Sequence, residues 1–150
     1  MLKLSRKTLL TLEAVIDIAF NARPEPVQAK EITARQGVPQ RYLEQVMQQL
    51  VRAGILKGVR GPRGGYRLAK ERRRISIGDV VRVAEAIEDG ENEEIAPRSD
   101  LGARIVGPLI ESLQDEVMKR LDGISIEDLC QRAKSAGVDC GGRISADFTI

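Results

Sequence analysis

The sequence predicts a mainly α fold with one small β-hairpin and a long helix behind it. Three observations carry this. Apolar residues recur at helical spacing through most of the chain, Leu43, Met47 and Leu50 being the clearest set with Val46 beside them. Ile55–Ala69 instead reads as two short β-prone runs around the turn GPRGG. Leu101, Ile105, Leu109, Leu113, Val117 and Leu121 then hold a spacing of four.

Leu4–Asn21 is the first helix. Ser5 suits its N-cap, and Leu9, Leu12, Ile16, Ala19 and Phe20 mark its buried side. Lys3, Arg6 and Lys7 crowd its start, where cations oppose the helix dipole. Phosphate contact would explain them; solubility alone is the plainer account. Arg23–Pro26 reads as a loop, and Ala29–Gln36 as a short helix stopped by Gly37. Pro39 suits the start of the next helix. Its outer face carries Arg41, Glu44, Gln45, Gln48 and Arg52. Arg can pair with guanine, Gln with adenine and Glu with the cytosine amine. Alone, such a face is an ordinary solvated one. Its neighbours decide, because two short helices joined by a glycine-containing turn match a helix-turn-helix, whose second helix enters the major groove.

In the hairpin, Ile55–Arg60 and Tyr66–Ala69 flank Gly61, Gly64 and Gly65, which lack a Cβ and let the backbone approach another surface. Arg60, Arg63 and Arg67 place cations on and beside the tip. A thin positive tip suits a phosphate backbone or a narrow minor groove. A plain glycine hairpin with solvated arginines is the alternative. A nucleotide loop fits worse, since no GxxxxGK[ST] is present and no helix follows directly. The expected fold is therefore a winged helix-turn-helix domain plus a long dimerisation helix.

Lys70–Arg74 is a cationic connector that either touches the DNA backbone or is merely solvated. Ser76 opens a helix with Asp79 as capping-box partner, and Val80, Val83, Ala84 and Ile87 form its stripe. Glu88–Asp100 is acidic and polar and reads as an exposed linker. Along 101–121 the four-residue spacing drifts around a straight helix, which suits a stripe wrapping a partner. Pro108 either starts that helix or kinks it. A buried core helix is the alternative; dimerisation through Ile105, Leu109, Leu113, Val117 and Leu121 is favoured, because the winged domain already has its own core. Ser125 and Asp128 start a last helix, with Ile126, Leu129, Cys130 and Ala133 on one face and Gly137 closing it. Cys130 reads as a small buried hydrophobe. Cys140, in GVDCGGR, is an exposed candidate redox thiol that could bridge to Cys130. Ile144, Ala146, Phe148 and Ile150 alternate with polar residues as in a strand or extended arm. The expected organisation is a DNA-binding domain over 1–88, an acidic linker over 89–100 and a dimerisation region over 101–150.

The net charge of +2 hides a division. Residues 1–84 hold 17 Lys and Arg against 7 Asp and Glu, whereas residues 85–150 hold 7 against 15. The basic half can neutralise phosphates and release counterions. The acidic half would be repelled from a duplex and so faces a partner subunit or an effector. No apolar run approaches the ~20 residues of a membrane span, and MLKLSRKTLL is no signal peptide, which together predict a cytoplasmic protein. The absence of histidine, of a nucleophile motif and of metal-ligand spacing argues against an enzyme.

YLEQVMQQLVRAGILKGVRGPRGGYRLAKERRRISIGDVV resembles the Rrf2 family of bacterial regulators. YLEQ, the AG step, RGPxGGYxLA and ISIGDVV stand in family order and spacing; weaker similarity extends over about residues 1–130. The resemblance implies a homodimeric transcription factor, a repressor by expectation, on a partly palindromic operator in double-stranded DNA. It makes Gln40, Arg41, Glu44 and Gln45, with Gln48, the major-groove readers, and Arg60 and Arg63 wing contacts. Lys3, Arg6, Lys7 and Tyr42 are the expected phosphate contacts. Cluster-binding members carry three cysteines in the region of the acidic linker. This chain has none there and two in all, so no iron–sulfur cofactor is expected. The competing function is a protein-interaction or effector-sensing module built on the acidic half.

Overall fold

The computed structural model describes residues 4–21, 25–89 and 99–138. Lys3, residues 22–24, linker residues 90–98, Cys140 and the alternating run 144–150 lie outside the described residues.

Ser5 opens α1 (Arg6–Phe20), its hydroxyl accepting from the Thr8 N–H at 3.1 Å. The buried face of this helix differs from the expected one. Thr8, Thr11, Ala14, Val15, Ile18 and Ala19 point inward. Leu9 is 46% exposed, and Leu12, Ile16 and Phe20 are only half-buried. The inward face carries Thr8, Thr11 and Asp17, so the more apolar stripe in the sequence is not the one that faces the core most directly.

Helix α2 (Ala29–Gln36) ends at Gly37, whose φ of 66° is the left-handed stop expected there. Helix α3 (Gln40–Arg52) follows after Pro39 and buries Leu43, Val46, Met47 and Leu50. Gly54, at φ 77°, turns the chain into β1 (Leu56–Val59), which pairs antiparallel with β2 (Gly65–Leu68). Val27 adds a bridge to Tyr66 with hydrogen bonds of 3.0 and 2.7 Å, so the segment before α2 borders the hairpin.

Arg72–Arg74 form a single 3-10 turn leading to α4 (Ile77–Asp89). Ser76 and Asp79 cap α4 reciprocally at 3.0 Å each. Ser125 and Asp128 do the same for α6 (Ile126–Ser135). The two starts lie side by side: Ile77 N–H donates to Ile124 C=O and Ile126 N–H to Ile75 C=O, both at 2.8 Å. Ile126 and Cys130 thereby join the core formed by α1, α2, α3, the hairpin and α4.

Between α4 and α6 runs α5 (Gly107–Asp122), preceded by a π turn over Gly102–Val106. Pro108 stands in the first turn of α5, the first of the two outcomes the sequence offers, where its missing N–H costs little. The wide turn, in which Gly107 N–H donates to Gly102 C=O, makes room for the ring and its missing N–H. Among the described residues, α5 is anchored through its C-terminal end. Met118 and Leu121 touch the core, and Asp122 takes two bonds of 2.7 and 2.6 Å from Arg82 of α4. Its carboxylate lies against Gly78, where a Cβ would come within 1.9 Å of Oδ1.

Candidate nucleic-acid interface

Burying Leu43, Val46, Met47 and Leu50 turns the opposite face of α3 outward. Gln40, Arg41, Glu44, Gln45 and Gln48 are all exposed. Arg41, Glu44, Gln45 and Gln48 share one face at helical spacing, with Arg52 one turn further on. Gln40 Nε2 donates to Glu44 Oε1 at 3.3 Å, which partly orients both at the N-terminal end. This face therefore presents a guanidinium, a carboxylate and several carboxamides to whatever docks there.

Arg60, Gly61, Pro62 and Arg63 stand exposed at the hairpin tip. Gly61, at φ 113°, needs the freedom only glycine has. The other two tip glycines are used differently from the sequence expectation. A Cβ on Gly65 would lie 2.4 Å from the Val27 carbonyl oxygen, and one on Gly64 2.2 Å from that of Val59. Their close approaches are to the protein's own backbone. Gly65 lets the hairpin sit against the segment before α2 and Gly64 closes the turn onto β1, which together hold the arginines in place.

The start of α1 is tied to the start of α3. Tyr42 Oη donates to the Lys7 carbonyl at 2.9 Å and lies 3.1 Å from Thr11 Oγ1; the Lys7 ammonium sits 5.8 Å from the Tyr42 ring centroid. Half-buried Tyr42 thus brings exposed Arg6 and Lys7 beside the N-terminus of α3 while its own hydroxyl proton is engaged within the chain.

One group escaped sequence reasoning. The Asp17 carboxylate is fully buried. It accepts from Arg35 Nε at 2.9 Å, Arg35 Nη2 at 2.6 Å and Gln36 Nε2 at 2.8 Å. This bidentate pair holds α2 on α1 and so sets the platform from which α3 projects. The hydrogen bond to Asp17 raises the Arg35 pKa above its ordinary value, against the opposing effect of burial. The only hint in the sequence was an acid inside an apolar run.

Beside the reading face, a cleft of about 510 Å³ opens between α3 and α4, lined by Gln45, Gln49, Arg52, Val83, Ala86 and Ile87. No group of three or more His, Cys, Asp or Glu converges as a metal site among the described residues. Cys130 lies in the core, 2% exposed; burial pushes its thiol pKa up, while nearby Arg72, itself paired with Glu127, pulls it down. With two thiols in the chain, one of them in the core, and no histidine, the donor set does not fit a four-thiolate cluster held by one chain.

Helix α3 occupies the second-helix position of a helix-turn-helix, and the hairpin that of its wing. The molecule is a DNA-binding transcriptional regulator of the winged-helix class, not an enzyme. The sequence profile of the Rrf2 family, described as an iron-dependent transcriptional regulator, matches residues 4–132, and the chain belongs to that family. It is 33% identical over 129 residues to the HTH-type transcriptional regulator IscR of Aliivibrio salmonicida, covering 85% of this chain and 77% of that protein. Identity to IscR of Vibrio campbellii is 40% over 80 residues, which span 53% of this chain and 48% of that one. Among solved structures, T. potens IscR superposes with a TM-score of 0.70 at 30% identity, covering 99% of this chain and 96% of that one. CymR, the global cysteine regulator of B. subtilis, gives 0.68 at 32% identity over 88% and 98%. No helix among the described residues is long and apolar enough to cross a membrane.

Proposed function

We propose that the chain acts as a homodimeric repressor on a partly palindromic operator. Gln40, Arg41, Glu44, Gln45 and Gln48 read base edges in the major groove. The wing, through Arg60, Arg63 and the backbone at Gly61, grips the flanking DNA. Lys3, Arg6 and Lys7 neutralise phosphates, with Tyr42 positioning the segment that carries them. Two copies of α3 related by a two-fold axis address half-sites about one DNA turn, or a multiple of it, apart. The observation that carries this reading is the outward polar face of α3 beside an exposed arginine tip. Dimerisation through α5 and the π turn before it is supported by Ile105, Leu109 and Val117, which stand 62, 56 and 41% exposed; Leu113 and Leu121 are half-buried and continue the same line. The proposed organisation keeps 1–88 as the DNA-binding domain, 89–100 as linker and 101–150 as the dimerisation region, from which α6 folds back onto α1.

Fluorescence anisotropy on operator and random duplexes tests the DNA side. Arg41→Ala should weaken operator binding by about 1–3 kcal/mol and leave random binding nearly unchanged; Arg63→Ala should weaken both and lower the salt slope by about one. Equal, salt-insensitive binding by all three proteins would refute the assignment. We further propose that this regulator works without an iron–sulfur cluster. Anaerobically purified protein carrying stoichiometric iron and visible cluster absorbance would reverse that view. Cys140 is the candidate redox thiol; DNA affinity unmoved by peroxide, in wild type and Cys140→Ser alike, removes it. The cleft beside Gln45 favours a second reading, in which a small effector or a protein partner acts through α3. Native mass spectrometry of protein isolated from cells would reveal a retained molecule.

A further inference from the structure

The cleft between α3 and α4 has two unlike walls. On the α3 side stand Gln45, Gln49 and Arg52, at i, i+4 and i+7 along one face. On the α4 side stand Val83, Ala86 and Ile87, at i, i+3 and i+4. Its volume of about 510 Å³ is that of a small-molecule site. Arg52 is exposed, and its guanidinium has no ion-pair partner among the described residues. The Gln45 and Gln49 carboxamides make no hydrogen bond among those residues either.

The two walls suit one molecule with two different ends. A guanidinium offers a planar fork of donors that matches a carboxylate bidentately. The carboxamides beside it can bond further polar atoms of the same molecule. The opposite wall offers only carbon, and so favours an apolar body. The number of cations sets the charge. Among the described residues Arg52 is the one cation lining the cleft, and α4 runs on into Glu88 and Asp89. One negative charge is matched there, whereas a phosphate dianion would be left half-compensated beside an acidic helix end.

We propose that this cleft binds a small amphipathic monocarboxylate, its head on Arg52 and its body on Val83, Ala86 and Ile87. The inference rests on the second reading above, in which an effector acts through α3, and it names the effector's chemistry. Gln45 joins the two functions, because it lines the cleft and stands among the proposed major-groove readers. An occupant bonded to Gln45 takes that carboxamide from the DNA, so the acid opposes operator binding. By linkage, the operator weakens binding of the acid by the same factor.

Phenylbutyrate is the probe, titrated into the full chain and followed by calorimetry and by the methyl resonances of Val83 and Ile87. At the efficiency usual for small ligands its Kd should be about 1 mM, at one site per chain. Phenylbutanamide, with the same body and no charge, should bind about tenfold more weakly or worse. Phenylbutylamine, with the wrong charge, and butyrate, with too little body, should not saturate. Arg52→Ala should weaken phenylbutyrate about tenfold or more. Ala86→Glu, at an exposed position, should abolish binding and leave the fold intact, as circular dichroism can verify. If Ala86→Glu does not fold, Arg52→Ala decides alone. The site is overturned if phenylbutyrate fails to saturate at about ten times the expected Kd, if Arg52→Ala binds it as wild type does, or if the amine binds equally well. Operator anisotropy separates the site from the effector reading. Phenylbutyrate should raise the operator Kd about threefold or more in wild type and leave it unmoved in Ala86→Glu. Binding that meets every expectation while the operator Kd stays put keeps the site and removes the effector reading. Failure to saturate, with operator binding intact, removes the site and leaves the DNA assignment standing.

Discussion

Replacing Arg35 with alanine should destabilise this protein more than replacing Asp17 with alanine, although each change breaks the same ion pair. The Asp17 side chain is 0% exposed and that of Arg35 is 20% exposed. Without Arg35, the carboxylate stays in the interior with the Gln36 amide as its remaining side-chain donor. Stranding a buried charge in this way costs about 3–5 kcal/mol. Without Asp17, the guanidinium lies near enough to the surface to swing into water. The loss is then nearer the value of charge-assisted hydrogen bonds, about 2 kcal/mol. At about 2–4 °C per kcal/mol for a chain of this size, Arg35→Ala should melt roughly 10 °C below wild type, and Asp17→Ala about half as far below. Substituting both with apolar residues of similar volume, as Asp17→Leu with Arg35→Met, should return most of the loss, because no charge is left to desolvate. Urea denaturation of the four proteins gives the comparison directly. The reasoning is refuted if Arg35→Ala is the milder single change, or if the double variant is no more stable than the worse single one.

Gly65→Ala should cost about 1–3 kcal/mol, because its methyl would press on the Val27 carbonyl 2.4 Å away and neither backbone can yield cheaply; it should also weaken DNA binding by displacing the wing, which anisotropy would register. Acid stability should follow Asp122 and Asp128. The bond from Arg82 holds the Asp122 pKa below 3.8, and the Ser125 N–H and hydroxyl do the same for Asp128. Depressed folded-state values mean that their stabilisation is complete above pH 3.8 and drains away as pH falls further. The gap between wild type and Asp122→Asn should therefore close on acidification, and a gap that widens would contradict the pairing. Cys130 should resist alkylation in the native protein at neutral pH and react on unfolding; intact mass after iodoacetamide, with Cys140→Ser as background, reads this out.

The elements whose evidence is local were legible in the sequence. Ser5, Ser76 and Ser125 cap helices as read, Gly37 stops α2, and the apolar positions of α3 fix its inner face and therefore its outer one. What escaped depends on distant partners. On α1 the inward face carries Thr8, Thr11 and Asp17, so the apolar pattern points instead to a side that leaves Leu9 46% exposed. Asp17 meets residues 18 and 19 positions away in sequence. Gly64 and Gly65 looked like a surface adapted to a ligand, and their tight contacts turned out to be internal, visible only once Val27 and Val59 are in place.

The wide turn ahead of Pro108 has a consequence for how this regulator can change. In a straight helix every four-residue step gains about 40°, so a series repeated every four residues must wander from one side to the other. The five residues Gly102–Val106 reset that phase at the exposed start of the helix, well away from the anchored end at Asp122. A one-residue deletion there would rotate Leu101 and the segment leading into it by about 100° while Gly107–Asp122 kept its place. The direction from which the chain enters the helix is thus adjustable without a change in α3.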